Sequence, residues 1–385
     1  SFYWDFCLGD FESNPGFADL LEISGLGTAR GFRTYQDDGL WYGFILDRSN
    51  NKVFRLDYGA SLDSIPSLTD LGNPGGLLSS PEGLDLIRYN NNWYGMIGYL
   101  NNGGDLVLLD FGNSLANTPT ATNIASFVTG RVRDLRLVNQ NDNLILVFPY
   151  YNGNQIYRIN YRDSFLNTID PEHIFVANIT DANLPIGLEV TQTCGQWIVH
   201  VLSLGNKSLH QLNFGNDILS TPVTEWSETF PSLTSPVQIS IIRQGNHYYA
   251  AISNENSPAA MLNLQDLDQV NPPIEMDNTS FPEFSSLFVA DYNGKKVIRG
   301  LESRFLKDIV FNADCGQNID FSYDENPSDV YYDQPGSHKI ILKAFSENGN
   351  MDAEVDSVYV SNISAPDISF SSENACLDNP VLFFG

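Results

Sequence analysis

A strand pattern that recurs at a nearly constant interval constrains this chain more than any other feature. Five segments share an apolar strand that closes on Asp or Asn and an aromatic residue, in decayed form in the last of them. They begin at Val53, Leu106, Ile156, Leu209 and Ala260, and are 53, 50, 53 and 51 residues apart. A hairpin of two apolar strands precedes each segment, and a sixth hairpin stands without a third strand after it. The six hairpins begin at Arg30, Glu82, Arg133, Ile186, Val237 and Glu283.

Repeats of this length, made only of strands and turns, predict an all-β chain with a β-propeller in which each repeat is one blade. The N-terminal residues Phe2 to Pro15 align with the third-strand pattern that begins at Leu209. We therefore expect Phe2 to Leu8 to supply the third strand of the sixth blade, which would pair its open edge and close the ring. This prediction makes residues 1–306 a six-bladed propeller.

A different pattern begins after Leu306. Short alternating strands separated by Asn-Pro, Pro-Gly and Asn-Gly turns predict a small β-sandwich over residues 307–362. Residues 363–385 begin a second unit of the same kind, which is incomplete because two strands cannot bury a core. A longer native protein is the expectation that follows.

Charge and cysteine content exclude several classes of partner. The chain has 20 Lys and Arg against 47 Asp and Glu, a net charge of −27. This balance argues against nucleic acid and anionic lipid, since both need a basic surface. No apolar run is long enough to span a membrane. The four cysteines, Cys7, Cys194, Cys315 and Cys376, are widely separated, so they predict neither a metal site nor one particular disulfide pairing, and no cofactor is expected.

The aligned hairpins place polar residues at the mouth of the central channel. Arg30, Glu82, Arg133 and Glu283 share this position with two apolar residues, Ile186 and Val237. A ring that mixes Arg and Glu can bind a carboxylate or sugar hydroxyls through the guanidinium groups. The alternative is a structural network of ion pairs that plugs the channel.

Catalytic patterns are missing from the sequence. No Ser/His/Asp or Cys/His arrangement can be assembled, and no glycine-rich phosphate loop leads from a strand into a helix. His200 and His210 alternate with apolar residues inside strands, which favours a packing role for both. These observations predict that the protein is not an enzyme.

The run from Tyr332 to Ala344, with a Pro-Gly turn ahead of a long strand, resembles the PKD family of immunoglobulin-like modules. The segment Phe321-Ser322-Tyr323-Asp324 departs from the usual motif of that family. A propeller followed by PKD-like modules resembles surface proteins of the phylum Bacteroidota that are associated with gliding motility and the type IX secretion system. Asp63-Ser64-Ile65 and Asp356-Ser357-Val358 fit the short O-glycosylation pattern of that phylum, at Ser64 and Ser357.

This resemblance implies a secreted, extracellular protein attached to the cell surface. Its propeller would be a non-catalytic adhesion platform for a glycan ligand, carried on PKD-like spacers. One alternative is a structural component that docks onto an outer-membrane or cell-surface complex, such as the type IX secretion machinery. A second alternative is a propeller hydrolase or lyase.

Overall fold

The computed structural model describes residues 2–5, 15–100, 106–124, 130–193, 195–244, 247–265, 273–276, 281–292, 295–311, 321–322, 324–327, 330–332, 336–345, 351–360, 371–372 and 383–384. The four cysteines lie outside these residues. No helix of the described part is long and apolar enough to cross a membrane. Apart from two short 3₁₀ turns, Pro74–Gly76 and Pro171–His173, the described residues form strands and loops.

The strands, in chain order, are β1 (Phe2–Asp5), β2 (Gly16–Glu22), β3 (Ala29–Asp37), β4 (Leu40–Asp47), β5 (Lys52–Gly59), β6 (Ser67–Gly72), β7 (Pro81–Tyr89), β8 (Asn92–Tyr99), β9 (Leu106–Gly112), β10 (Thr120–Ile124), β11 (Arg136–Gln140), β12 (Asn143–Tyr150), β13 (Gln155–Asn160), β14 (Ile174–Asn178), β15 (Pro185–Thr193), β16 (Gln196–Ser203), β17 (Ser208–Asn213), β18 (Val223–Thr229), β19 (Pro236–Gln244), β20 (His247–Asn254), β21 (Ala260–Gln265), β22 (Ile274–Glu275), β23 (Ser286–Tyr292), β24 (Lys295–Glu302), β25 (Phe305–Val310), β26 (Phe321–Ser322), β27 (Gly336–Phe345), β28 (Met351–Val360), β29 (Ser371–Ser372) and β30 (Phe383–Phe384).

Six four-stranded antiparallel sheets form the blades of the predicted propeller. Blades one to five are consecutive in sequence: β3 to β6, β7 to β10, β11 to β14, β15 to β18 and β19 to β22. The sixth is β23, β24 and β25 with β2 at its outer edge. The first strand of each blade contacts the first strand of the next, and β23 contacts β3, so the ring is closed. The six-bladed prediction is confirmed.

The N-terminal chain closes the last blade, but by a different strand from the one predicted. Residues Gly16 to Glu22 (β2) pair with β25 as the fourth strand of the sixth blade, whereas β1 pairs with β27 in a separate sheet outside the propeller. The third strand is β25, which follows β24 after a two-residue turn at Ser303 and Arg304. Ser303 has a φ of 55°, the left-handed conformation of a tight turn. The predicted limit at residue 306 therefore falls inside a blade strand.

Apolar cores fill the interfaces between blades. Each of six clusters combines residues of two neighbouring blades, including the closing interface between blades six and one. The aromatic residues of the repeated third-strand pattern are buried in them, as their periodicity predicts. These are Tyr58, Phe111, Tyr161 and Phe214. Because each blade covers the apolar face of its neighbour, the ring depends on its closure.

The second unit contains a four-stranded antiparallel sheet in the order β26, β1, β27, β28. Its core includes Trp4 and Tyr332, which are 3% and 1% exposed. The Trp4 indole donates a hydrogen bond of 3.1 Å to the carbonyl of Asp324. Residues 307–362 are thus completed by a strand from the N-terminus, which the sequence assigned to the propeller. Of residues 363–385, the structure describes only β29 and β30, which pair with each other.

Candidate active site

One position in the first strand of every blade faces the central channel. In each blade this residue pairs with the fifth residue of the second strand. The six equivalent residues are Arg33, Asp85, Arg136, Glu189, Ser240 and Phe288. All six line one cavity of about 310 Å³, and we call them the channel ring.

Irregular pairing at the start of the inner strands helps to aim these side chains. The register between first and second strands shifts just before the ring position in four blades. Such bulges turn a side chain away from the direction that regular pairing would give it. Glycines allow the close packing of blades there: a Cβ added at Gly83 would lie 2.8 Å from the Cα of Asp134.

Arg136 is the centre of the hydrogen bonding in the cavity. Its Nε and Nη2 donate to the two carboxylate oxygens of Glu189, each at 3.0 Å. Its Nη1 donates to Asp134 Oδ1 at 2.8 Å and to the Leu135 carbonyl at 2.6 Å. The guanidinium therefore joins two carboxylates from two blades and is itself held in one orientation.

Three carboxyl groups in or beside the channel ring have raised pKa values. Burial is the largest cause for each of them, because it disfavours the charged form. It raises the pKa of Asp85 to about 6 and the pKa values of Asp134 and Glu189 to about 7, although the positive charge of Arg33 opposes each shift. The Asp85 carboxylate accepts hydrogen bonds from the Tyr35 hydroxyl at 2.6 Å and from the Leu137 amide at 2.7 Å.

Arg33 differs from Arg136 in having few partners. Its side chain is 9% exposed, and its Nη2 lies 3.8 Å from Asp134 Oδ1 and 4.0 Å from Glu189 Oε2. These distances are too long for hydrogen bonds. Both Nε and Nη2 of Arg33 are buried without a hydrogen-bond acceptor.

The sequence-predicted residues Arg30, Glu82 and Arg133 do come together, at the start of the inner strands. Glu82 Oε2 lies 3.6 Å from Arg30 Nε and 3.3 Å from Arg133 Nη2. Arg48 adds a hydrogen bond of 2.8 Å to Glu82 Oε1, and Glu255 pairs with Arg30. The Glu82 side chain is fully buried. This arrangement favours the alternative of an ion-pair network, and ligand binding by these residues stays a prediction.

Glu283 does not belong to that set. It is exposed and precedes the inner strand of the sixth blade. Counting back three residues from Phe288, as from Arg33 to Arg30, leads to Ser285. The hairpin alignment was therefore wrong by two residues in this blade. Ser64 and Ser357 are both exposed, and their glycosylation stays a prediction.

Sequence reasoning missed the channel ring although a signal was present. The alignment of the hairpins places Arg30, Glu82 and Arg133 at equivalent positions. Three residues further on, the same alignment places Arg33, Asp85 and Arg136 at equivalent positions. His200 and His210 are buried in blade four, where burial lowers the pKa of each to about 4. Their packing role agrees with the prediction.

Among the described residues, one group of possible metal ligands lies outside the channel. Ligand atoms of Asp170, Glu172 and His173 all fall within 4.8 Å of one another. The His173 Nε2 accepts a hydrogen bond of 3.2 Å from Arg162 Nε. The positive charge of Arg162 at that nitrogen would repel a metal cation, so these residues are a poor cation site.

No protein-family model matches the chain, and no curated protein matches it. Solved propeller structures do. An exo-β-1,3-galactanase from Phanerochaete chrysosporium is 11% identical, with a TM-score of 0.49, and the match covers 92% of this chain and 95% of that one. A luciferin-regenerating enzyme is 11% identical, with a TM-score of 0.50, over 77% of this chain and 95% of that one. The Malassezia sympodialis allergen Mala s 1 is 11% identical, with a TM-score of 0.50, over 78% and 97%. At this identity the likeness shows the fold.

The prediction of a non-catalytic adhesion platform, and so of no enzyme, is wrong. A thermostable family-43 glycoside hydrolase and an α-L-arabinofuranosidase of Coprinopsis cinerea are also similar, at 11% and 12% identity and TM-scores of 0.45 and 0.47, and this likeness shows no more than the fold. The channel supplies the physical reason within this chain itself. Its carboxyl groups come from separate blades, and burial brings their pKa values into the range of acid and base catalysis.

Proposed function

We propose that this protein is a hydrolase that cleaves glycosidic bonds in the cavity of the channel ring. One observation carries the proposal: two carboxyl groups that line the same cavity, Asp85 and Glu189, have pKa values raised to about 6 and about 7. Glycoside hydrolysis needs two such groups, one protonated and one ionised at the working pH.

The two carboxyl groups differ in a way that assigns their roles. Asp85 has the lower pKa, and it ionises first as the pH rises. In the proposed reaction Asp85 takes a proton from the attacking water, whose oxygen bonds to the anomeric carbon. Glu189 carries its proton on an oxygen lone pair that does not face Arg136, and gives it to the leaving oxygen as the glycosidic C–O bond breaks.

Asp134 has a supporting role in this scheme. Its carboxylate accepts hydrogen bonds from the backbone amides of Leu135 and Leu188 and from Arg136 Nη1, at 2.9, 3.0 and 2.8 Å. These bonds hold Arg136, which in turn holds Glu189. Asp134 is therefore a positioning residue.

Release of reducing ends from a panel of plant, algal and bacterial polysaccharides tests the proposal. Asp85→Asn and Glu189→Gln should each lower the rate by about 100-fold or more, because each removes one proton transfer. Glu283→Gln is the matched control, as an exposed glutamate of the same propeller, and should keep the wild-type rate. A wild-type rate in both cavity variants, or no product from any glycan, would contradict the proposal.

We also infer that the protein acts outside the cell, as a surface protein of the Bacteroidota type with a PKD-like second unit. The acidic composition and the Pro-Gly strand pattern at residues 332–344 support this location. A cell-surface protein complex is the proposed attachment partner. Protease treatment of intact cells, followed by detection of the propeller, tests the location: loss of the signal is expected, and full protection would argue against it.

A further inference from the structure

The channel ring contains two arginines that use the same guanidinium edge differently. In Arg136 the Nε and Nη2 atoms hold the Glu189 carboxylate with two hydrogen bonds of 3.0 Å. In Arg33 the corresponding Nε and Nη2 atoms have no acceptor. The channel ring thus has one guanidinium edge that holds a carboxylate and one buried guanidinium edge without an acceptor.

The neighbouring acids balance the charge of Arg33 but do not accept hydrogen bonds from its Nε and Nη2 edge. Asp134 and Glu189 approach Arg33 Nη2 only to 3.8 and 4.0 Å, and both are hydrogen-bonded to Arg136 instead. Asp85 is hydrogen-bonded to Tyr35 and the Leu137 amide. Buried Nε and Nη2 groups without acceptors are costly, so a ligand that supplies acceptors to them gains binding energy.

We propose that the cavity recognises a carboxylate-bearing sugar, a uronic acid unit of an acidic glycan, through the Nε and Nη2 edge of Arg33. A carboxylate matches this edge because it is planar and offers two oxygens, as Glu189 does to Arg136. The cavity volume of about 310 Å³ is at the small end of ligand sites, which suits a single sugar unit. This inference rests on the proposed function and narrows its substrate class.

Calorimetric titration of the full chain with galacturonate and glucuronate tests the inference. The control ligands are the methyl ester of galacturonate, which keeps the shape without the charge, and galactose 6-sulfate, which carries a different anion. We expect the uronates to bind about tenfold to a hundredfold more tightly than the ester. Equal binding of ester and acid would overturn the inference, and so would tighter binding of the sulfate.

Substitutions at Arg33 add a second measurement. Arg33→Gln should abolish the preference for the acid over the ester, and Arg33→Lys should restore it only in part, because lysine keeps the charge and loses the fork. Retention of the full preference in Arg33→Gln would overturn the inference. The comparison of ligands in the wild type needs no variant and remains decisive if Arg33→Gln does not fold.

The outcomes separate this inference from the proposed function. Hydrolysis of neutral glycans with no preference for uronates would refute the acidic substrate and leave the hydrolase standing. Arg33-dependent binding of uronates, without hydrolysis of any acidic or neutral glycan, would support the recognition site and refute the hydrolase.

Discussion

Arg136 in the third blade grips Glu189 in the fourth blade through two parallel hydrogen bonds, from Nε to Oε1 and from Nη2 to Oε2, both 3.0 Å long. The two side chains are 6% and 19% exposed. A buried bidentate pair of this kind fixes both partners in orientation. The pair joins two blades at the central channel, and in the proposed mechanism it also orients the proton donor, Glu189.

Removal of Arg136 should destabilise the propeller strongly. Arg136→Gln leaves the Glu189 carboxylate buried without its cation, which typically costs about 3–5 kcal/mol. Urea unfolding at pH 8, where Glu189 is mostly ionised, would measure the change in the free energy of unfolding. The matched control is Arg304→Gln, because Arg304 pairs with Glu22 on the surface, with side chains 56% and 50% exposed. That variant should lose less than about 1 kcal/mol, and equal losses in the two variants would contradict the prediction.

The stability of Glu189→Gln relative to the wild type should depend on pH. Burial raises the pKa of Glu189 to about 7 in the folded protein, against about 4.3 in an unfolded chain. The favourable contribution of the protonated acid is therefore complete below about pH 4 and is lost as the pH rises through about 7. Glutamine does not ionise. The free energy of unfolding of the variant should therefore rise relative to that of the wild type by about 2–4 kcal/mol between pH 5 and pH 8.

Thermal or urea unfolding at several pH values would measure that difference. Glu283→Gln serves as the control, since Glu283 is exposed, and its difference from the wild type should stay nearly constant. A constant difference for Glu189→Gln as well would mean that burial does not raise the pKa of Glu189.

Gly83→Ala should destabilise the junction between the second and third blades. An added Cβ would lie 2.8 Å from the Cα and 3.1 Å from the backbone N and C atoms of Asp134, and backbone cannot move aside cheaply. Overpacking of this kind costs about 1–3 kcal/mol. Gly16→Ala is the control, because its nearest contact is 3.7 Å away. Thermal denaturation should show a lower midpoint for Gly83→Ala only, and an unchanged midpoint would disprove the close approach.

Two N-terminal truncations should have different effects. A chain that begins at Gly16 keeps β2 in the sixth blade but removes β1, and with it Trp4, from the second sheet. Its propeller should stay closed while the second unit unfolds at a lower temperature. A chain that begins at Ile23 also lacks β2, which leaves the edge of β25 unpaired, so it should aggregate or melt at a lower temperature.

Solubility and differential scanning calorimetry of both truncations would distinguish these roles. If the chain that begins at Ile23 melted like the parent, β2 would not close the ring. If the chain that begins at Gly16 showed an unchanged second unit, β1 would not belong to that sheet.

Much of the architecture was predictable from periodicity. The regular spacing of the third strands predicted the six blades, since the pattern is local and repeats with little variation. The burial of Tyr58, Phe111, Tyr161 and Phe214 between blades followed from the same repetition. The clustering of Arg30, Glu82 and Arg133 was also predictable, because equivalent positions of successive inner strands meet around one axis.

The sixth blade shows where periodicity fails. Its third strand follows a turn of only two residues at Ser303 and Arg304, so the expected spacing was absent. The residue types of Phe2 to Leu8 fitted the third-strand pattern of a blade, so the sequence assigned them there. The partner of Phe2 to Asp5, β27, lies more than 330 residues away, and only the folded chain shows which of two possible edges this strand pairs with.

The sequence alone was enough to predict the repeat, the blade count and the inter-blade aromatic residues, because these depend on alternation and spacing along the chain. The chemistry of the channel depends on contacts between distant residues. Asp85, Arg136 and Glu189 stand about fifty residues apart and form a cavity only when the ring closes. The raised pKa values of Asp85 and Glu189 arise from burial, which no local pattern records, and this is why the sequence indicated a platform where the structure brings buried carboxyl groups together in one cavity.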